Sequence, residues 1–392
     1  MEFAQRTNNV KSSEIRKILA ATQNENMISF AGGLPAPWLF PEKELEFAAQ
    51  TAIQKHGKKL LQYSVSQGLP ELREYIAHRM KRKTGVELTP EEILITSGSQ
   101  QGLDLIGRIF LEPQKNLYLE KPVFSGALQT FSFWQPVMHG IDLLADGPDL
   151  ALLAHKLDRN GPGLFYFIPN FQNPSSLSYS RTTREKLSRL AADKNLLLVE
   201  DDPYGDLRYT NEDIPPVISL HKNTIYLGSF SKIVAPGLRI GWLTAPKNIM
   251  EKLLIAKQAT DLHTGSLAQG VLLQYLKNND LDCHIEKMKK AYSANCKTMC
   301  DTLTVEFPEI TFSKPEGGMF VWCQLPPGIN AMEFSQKALQ KGVAVVTGNA
   351  FYFDGKGPEC IRLNFSNQTQ ANIVRGVKIL QQVYLEMKNE TV

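Results

Sequence analysis

The chain has 392 residues, 43 Lys+Arg against 40 Asp+Glu for a net charge of +3, and is 43% hydrophobic and 21% charged. That balance excludes a disordered chain, a collagen-like fibre and a membrane bundle, and the charge is too small and dispersed for a nucleic-acid surface. Single cores stop growing at roughly 250–300 residues, so two lobes are expected.

The opening stretch, MEFAQRTNNVKSSEIRKIL, lacks the apolar centre of a secretory signal. No apolar run approaches the roughly 18 residues that a spanning helix needs. A helix is expected at 12–21, ahead of the turn Gly32-Gly33-Leu34-Pro35. From about residue 41, short β-branched and apolar runs recur, bounded by Gly, Pro or Asn: 93–96, 117–119, 164–168, 196–199, 225–227 and 240–243. Helical stretches separate them, such as 182–195, where Leu187, Leu190 and Ala191 share a face. This alternation predicts an α/β fold with βαβ units around a mostly parallel sheet, over residues 41–290.

The texture changes after about residue 300. A β pair is expected at 310–312 and 319–325, then a helix at 331–341, strands at 343–346 and 361–365, and a long helix at 369–387. Residues 1–40 and 291–392 are therefore expected to form a smaller α+β domain beside the larger one at 41–290.

Ligands of open parallel sheets bind beyond the carboxyl ends of the strands. After 93–96 comes Ser97-Gly98-Ser99-Gln100-Gln101, where small residues free backbone N–H groups to face an anion at a helix start. Alone, that signal is weak. After 164–168 comes Pro169-Asn170-Phe171-Gln172-Asn173-Pro174, and Asn before Pro starts a turn as readily as it lines a site. After 196–199 comes Glu200-Asp201-Asp202-Pro203-Tyr204; three carboxylates ending an apolar strand are costly unless something cationic meets them. After 225–227, two hydroxyls, a lysine and an arginine follow within eleven residues: Ser229, Ser231, Lys232 and Arg239. The five cysteines form no CxxC pair, and the seven histidines form no HxH or HExxH pattern. A disulfide framework and a metal site are thus both unexpected, and a reducing cytoplasm fits.

An anion pocket, a carboxylate, hydrogen-bond donors and a lysine are together what pyridoxal phosphate requires. The sequence resembles the fold-type-I pyridoxal-phosphate aminotransferases of class I/II. Its texture is nearest to the α-aminoadipate/kynurenine aminotransferases and the MocR-type aminotransferase domains of bacterial regulators. The resemblance rests on ISFAGGLP (28–35), LQYS and QGLPELR (within 61–73), TSGSQQ (96–101), PNFQNPSS (169–176), EDDPY (200–204), SFSK (229–232), PGLRIGW (236–242) and IRLNFS (361–366). These occur in the family's order over nearly the whole chain.

The resemblance implies a sheet of the seven-stranded type between helices, plus a smaller α+β domain. Lys232 is then the imine-forming lysine that moves a proton between substrate Cα and cofactor C4′. Asp201 would pair with the ring nitrogen, with Asp202 as its near rival. Asn173 and Tyr204 would serve the phenolate oxygen, and Phe124 would stack on the ring where many members carry tyrosine. Phosphate would fall to the backbone at Ser99 and Gln100 and to Ser229, Ser231 and Arg239. Tyr63 would reach the phosphate of a neighbouring subunit, which implies a homodimer with shared active sites. Arg362 would grip the substrate α-carboxylate beside Asn173, the Gly33 backbone would close over the substrate, and Arg16 would meet side-chain carboxylates. The implied activity is ping-pong transfer of an amino group from an L-amino acid to a 2-oxo acid, with 2-oxoglutarate the expected acceptor. Neither nucleic acid nor membrane is an expected partner. Two alternatives stay open: a β-elimination lyase on the same cofactor, and a non-catalytic effector module. The latter normally follows a DNA-binding winged helix, and the roughly 40 residues before the core show no basic recognition helix.

Overall fold

The computed structural model describes residues 2–7, 27–210 and 214–390. The helix expected at 12–21, and Arg16 with it, lies outside the described residues.

An eight-stranded sheet forms the centre, in the spatial order Ile93–Thr96, Gly241–Thr244, Thr224–Ser229, Leu197–Asp201, Leu164–Phe167, Asn116–Lys121, Val137–Leu144 and Gly147–Pro148. Ile93–Thr96, Leu164–Phe167 and Gly241–Thr244 are buried from end to end, as expected of a sheet covered by helices on both faces. Neighbours run parallel apart from two strands. Gly241–Thr244 is antiparallel to both of its neighbours, and Gly147–Pro148 folds back antiparallel on Leu143 and Leu144. That two-residue edge is the strand beyond the expected seven. Val137–Leu144 carries no sequence expectation: its run VMHGIDLL interrupts apolar residues with His, Gly and Asp, because it lies near the sheet edge and is partly exposed.

At several helix starts a side chain caps the first turn. Ser180 Oγ accepts from Thr183 N at 3.1 Å and starts Arg181–Asp193; Asp280 and Asn330 do the same for Leu281–Glu306 and Ala331–Gln340. Leu281–Glu306 runs from the large sheet's flank to the second sheet, where it packs on Gln370–Glu390.

The second sheet is antiparallel, in the order Thr311–Phe312, Phe320–Gln324, Cys360–Asn364 and Val346–Thr347. The single strand expected at 343–346 is two. Val343–Ala344 pairs in parallel with Ile28–Ser29, and Val346–Thr347 pairs with Cys360–Asn364. The chain crosses from one sheet to the other at the buried Val345, so an unbroken apolar run serves two partners.

Candidate active site

The carboxyl ends of five parallel strands converge on one edge of the large sheet. Gly241–Thr244 runs the other way, so its leading residue Arg239 arrives at that same edge. The edge walls a cavity of about 310 Å³. Among the described residues, every one expected in the site lines it except Tyr63.

One end of the cavity suits an anion. Ser99 opens the helix Ser99–Phe110, whose first N–H groups have no intrahelical acceptor. Gly98 precedes it at φ +75°, and a Cβ there would stand 2.3 Å from Arg239 Nη2. The missing side chain lets the guanidinium lie against the turn, where Nη2 donates to Ser97 O at 3.2 Å. Ser97 N donates to Gln101 Oε1 at 2.8 Å, and the fully buried Lys257 donates to the same oxygen at 2.6 Å. Lys257 also reaches Asp261 and Thr264, which ties the turn to the helix behind it. Ser229 Oγ accepts from Ser231 N at 3.1 Å on the facing loop. Gln100 Nε2 donates to Gly126 O at 3.1 Å and to Thr130 Oγ1, so its side chain links two helix starts. Phe124 folds over Gly126, where a Cβ would meet the ring at 2.4 Å.

The other end holds an acid. Asp201 ends the strand Leu197–Asp201, buried. Its Oδ2 accepts from the Tyr166 hydroxyl at 2.9 Å, while its buried Oδ1 has no hydrogen-bond partner among the described residues. Burial pushes the carboxyl up to about 7, against the donation from Tyr166. Asp202 faces the other way, as successive strand residues do. It accepts from Asn170 Nδ2 at 2.9 Å, Gly205 N at 2.9 Å and the Tyr226 hydroxyl at 3.0 Å, and it lines a separate cavity of about 130 Å³.

Lys232 Nζ donates to Gly33 O at 2.7 Å. Burial lowers its pKa to about 8, and the cations of Arg362 and Arg239 act in the same direction. Arg362 comes from the second sheet, on Cys360–Asn364, and is 2% exposed. Its guanidinium carbon lies 4.3 Å from the Phe320 ring centroid and 5.1 Å from that of Phe351. Nη1 donates to Asn173 Oδ1 at 2.7 Å and Nη2 to Ala31 O, whereas Nε is buried without a partner among the described residues. Burial brings its pKa down to about 10, which leaves it cationic at neutral pH. Asn173 Nδ2 lies 3.5 Å from the Tyr204 hydroxyl, whose pKa burial raises to about 12.

Tyr63 is 79% exposed, edge-on to His263, and does not line this chain's own cavity. Sequence reasoning missed Tyr166, Phe320, Phe351 and Lys257. The polar atom of Tyr166 inside the run LFYF was an available signal, since a buried phenol needs a partner. The two phenylalanines and Lys257 carried none, being ordinary residues of a strand, a short 3₁₀ turn and a helix. Among the described residues no cluster of His, Cys, Asp or Glu could hold a metal ion, and no helix is long and apolar enough to cross a membrane.

Comparison with known proteins gives one family. The model of aminotransferase class I and II matches residues 38–380. The aromatic-amino-acid aminotransferase 1 of Thermococcus litoralis is 38% identical over 392 residues, covering 98% of this chain and 94% of its own. The 2-aminoadipate transaminase of Thermus thermophilus is 36% identical over 384 residues, covering 96% and 95%. The crystal structure of LysN, an α-aminoadipate aminotransferase from Thermus thermophilus complexed with N-(5'-phosphopyridoxyl)-L-leucine, superposes with a TM-score of 0.92 at 35% identity, over 99% of this chain and 98% of that one.

Proposed function

The chain belongs to the aminotransferase class I and II family and is a pyridoxal-phosphate-dependent aminotransferase; from that premise we propose that it works by a two-stage ping-pong cycle in this one cavity, with 2-oxoglutarate as an acceptor. Bound pyridoxal phosphate supplies an aldehyde that condenses with amines and a cationic ring that draws electrons from the amino-acid Cα. Asp201 Oδ1 is the observation that carries the assignment. A buried carboxylate oxygen without a partner is costly, and a protonated ring nitrogen is a group that would satisfy it.

In this reading Arg239, Ser229, Ser231 and the backbone N–H groups of Ser99 and Gln100, which line the cavity, would hold the phosphate, and Phe124 would cover the ring. Asn173 and Tyr204 hydrogen-bond the phenolate oxygen. Lys232 would be the amine that bonds the cofactor's aldehyde, and in its free neutral form it would take the proton from the substrate Cα and return one at C4′. Arg362 pairs with the substrate α-carboxylate as a planar fork, with its orientation already fixed by two aromatic faces, Asn173 and Ala31 O. The Gly33 carbonyl, in reach of Lys232, closes the cavity over the substrate. Arg16 meets a side-chain carboxylate when the donor has one.

The functional unit in this reading is a homodimer. Support comes from Leu61, Tyr63, Val65 and Leu262, each at least half exposed, with Tyr63 free to reach the phosphate of a second copy. The division into a large domain at 41–290 and a small one at 1–40 with 291–392 draws support from the pairing of Ile28–Ser29 with Val343–Ala344. Five unpaired cysteines, four of them buried, favour a reducing cytoplasm. The test is a matrix of amino donors against 2-oxo-acid acceptors, read by cofactor absorbance. A donor should shift the band and an acceptor should restore it, and Lys232→Ala should lose the covalently bound form. A holoenzyme whose absorbance no amino acid moves would overturn the proposal.

A further inference from the structure

We infer that Tyr166 is a positioning residue for the ring-nitrogen acid: its hydroxyl, bound to Oδ2 of Asp201, turns Oδ1 into the cavity and keeps that carboxylate charged against the cofactor ring. The inference rests on the assignment of Asp201 to the ring nitrogen.

Register puts the two residues within reach of each other. Leu164–Phe167 pairs in parallel with Leu197–Asp201, with Tyr166 opposite Val199. Asp201 lies two residues beyond Val199 on the same face, a diagonal that a long side chain spans. The Tyr166 ring is fully buried and packs edge-on to Phe131 at 5.6 Å, so the place of its hydroxyl is set by packing. Burial and the adjacent Asp201 hold the phenol well above its usual pKa, so it remains a donor.

Two neighbouring phenols show what is particular about this one. Tyr179 donates to Glu120 Oε1 at 2.6 Å, and Tyr226 donates to Asp202 Oδ2 at 3.0 Å. In both carboxylates the second oxygen is also occupied, by Gln172 and Ile168 N in Glu120 and by Asn170 and Gly205 N in Asp202. Among the described residues, Asp201 is bonded on one oxygen and bare on the other, and it lines the cavity. A donor on the far oxygen draws off negative charge and lowers the carboxylate's proton affinity. The proton shared with a ring nitrogen then stays on nitrogen, where it makes the ring the stronger electron sink.

The experiment loads the enzyme with cofactor labelled with 15N in the ring and reads that resonance in the wild type, Tyr166→Phe, Tyr179→Phe and Asp201→Asn. In Tyr166→Phe the resonance should move toward the neutral-ring value set by Asp201→Asn. Its kcat should fall about tenfold, the effect of about one pKa unit, while KM for the amino donor stays within about twofold. Tyr179→Phe, which removes the same kind of bond away from the cavity, should leave the resonance in place. As a form that keeps the shape and the hydroxyl, 3-fluorotyrosine at position 166 is a stronger donor and should move the signal the opposite way. If Asp201→Asn moves the resonance but neither change at 166 does, Tyr166 only packs and the inference is overturned. If Asp201→Asn leaves it unmoved as well, the assignment of Asp201 fails and the inference falls with it.

Discussion

Asp201 and Asp202 are adjacent in sequence, yet they open onto two cavities that differ in kind. Around Asp202 polar groups are already matched: three donors meet its carboxylate, and Arg79 bridges Asp206 and Asp282 at 2.7 Å each. On the Asp201 side a carboxylate oxygen and Arg362 Nε are both buried and unmatched among the described residues. Folding normally satisfies such groups, because each one left bare costs about 1–3 kcal/mol. Of the two cavities, the one beside Asp201 is the larger and, among the described residues, the one lined by such atoms.

Substituting the two acids should give the largest difference between the cavities. Asp201→Asn should lower kcat on the order of a thousandfold, through loss of the charge facing the ring. Asp202→Asn should keep kcat within a few-fold and instead lower the melting temperature. Equal loss of kcat in both variants would erase the distinction between the cavities. Next in size is Arg362→Lys, which removes the fork while keeping a charge. KM for the amino donor should rise about a hundredfold, the equivalent of about 3 kcal/mol in charge-assisted hydrogen bonds, and unchanged steady-state constants would remove Arg362 from substrate binding.

The anion end gives a smaller effect. Gly98→Ala places a methyl where Arg239 Nη2 now lies, at a φ of +75° that also strains alanine. Cofactor affinity, measured by equilibrium dialysis, should weaken about tenfold with displacement of one guanidinium contact. An alanine variant that binds the cofactor as tightly as the parent would show that Arg239 holds no phosphate.

The smallest expected effect is in pH dependence. The folded pKa of Asp201 is about 7, raised from 3.8. Between those values the folded cofactor-free chain binds more protons than the unfolded chain, so its stability falls as pH rises from about 4 to 7. Glu120 and Glu200, raised by burial to about 8 and about 7, act in the same direction. Asp201→Asn should flatten part of that slope, by roughly 5 °C in melting temperature across the window. A slope identical to the parent's would show that Asp201 titrates normally. In holoenzyme the slope should be shallower, because the ring cation satisfies the acid.

Much of the chemistry was legible without coordinates. Short apolar runs ending in Ser-Gly-Ser, Glu-Asp-Asp and Ser-Phe-Ser-Lys locate strand ends, because burial needs an apolar run and the chemistry needs polar residues just beyond it. The helix expected at 182–195 from its apolar face runs from Arg181 to Asp193, since helical periodicity is a local pattern. The edge strand Val137–Leu144 was illegible because partial exposure relaxes the apolar pattern.

Tertiary structure alone decided the rest. Period-two alternation says that Asp201 and Asp202 oppose one another, but only packed neighbours say which one faces the cavity. The resemblance had named Arg239 and Arg362 for the site, but the fold shows how they arrive: the reversed strand Gly241–Thr244 brings Arg239 to the active edge, and the second sheet delivers Arg362 to Asn173 across 189 residues. The run Val343–Val346 splits between two sheets because each half meets a different partner. These are contacts between segments distant in the chain, and local propensity and hydrophobic pattern carry no information about which distant segment will arrive.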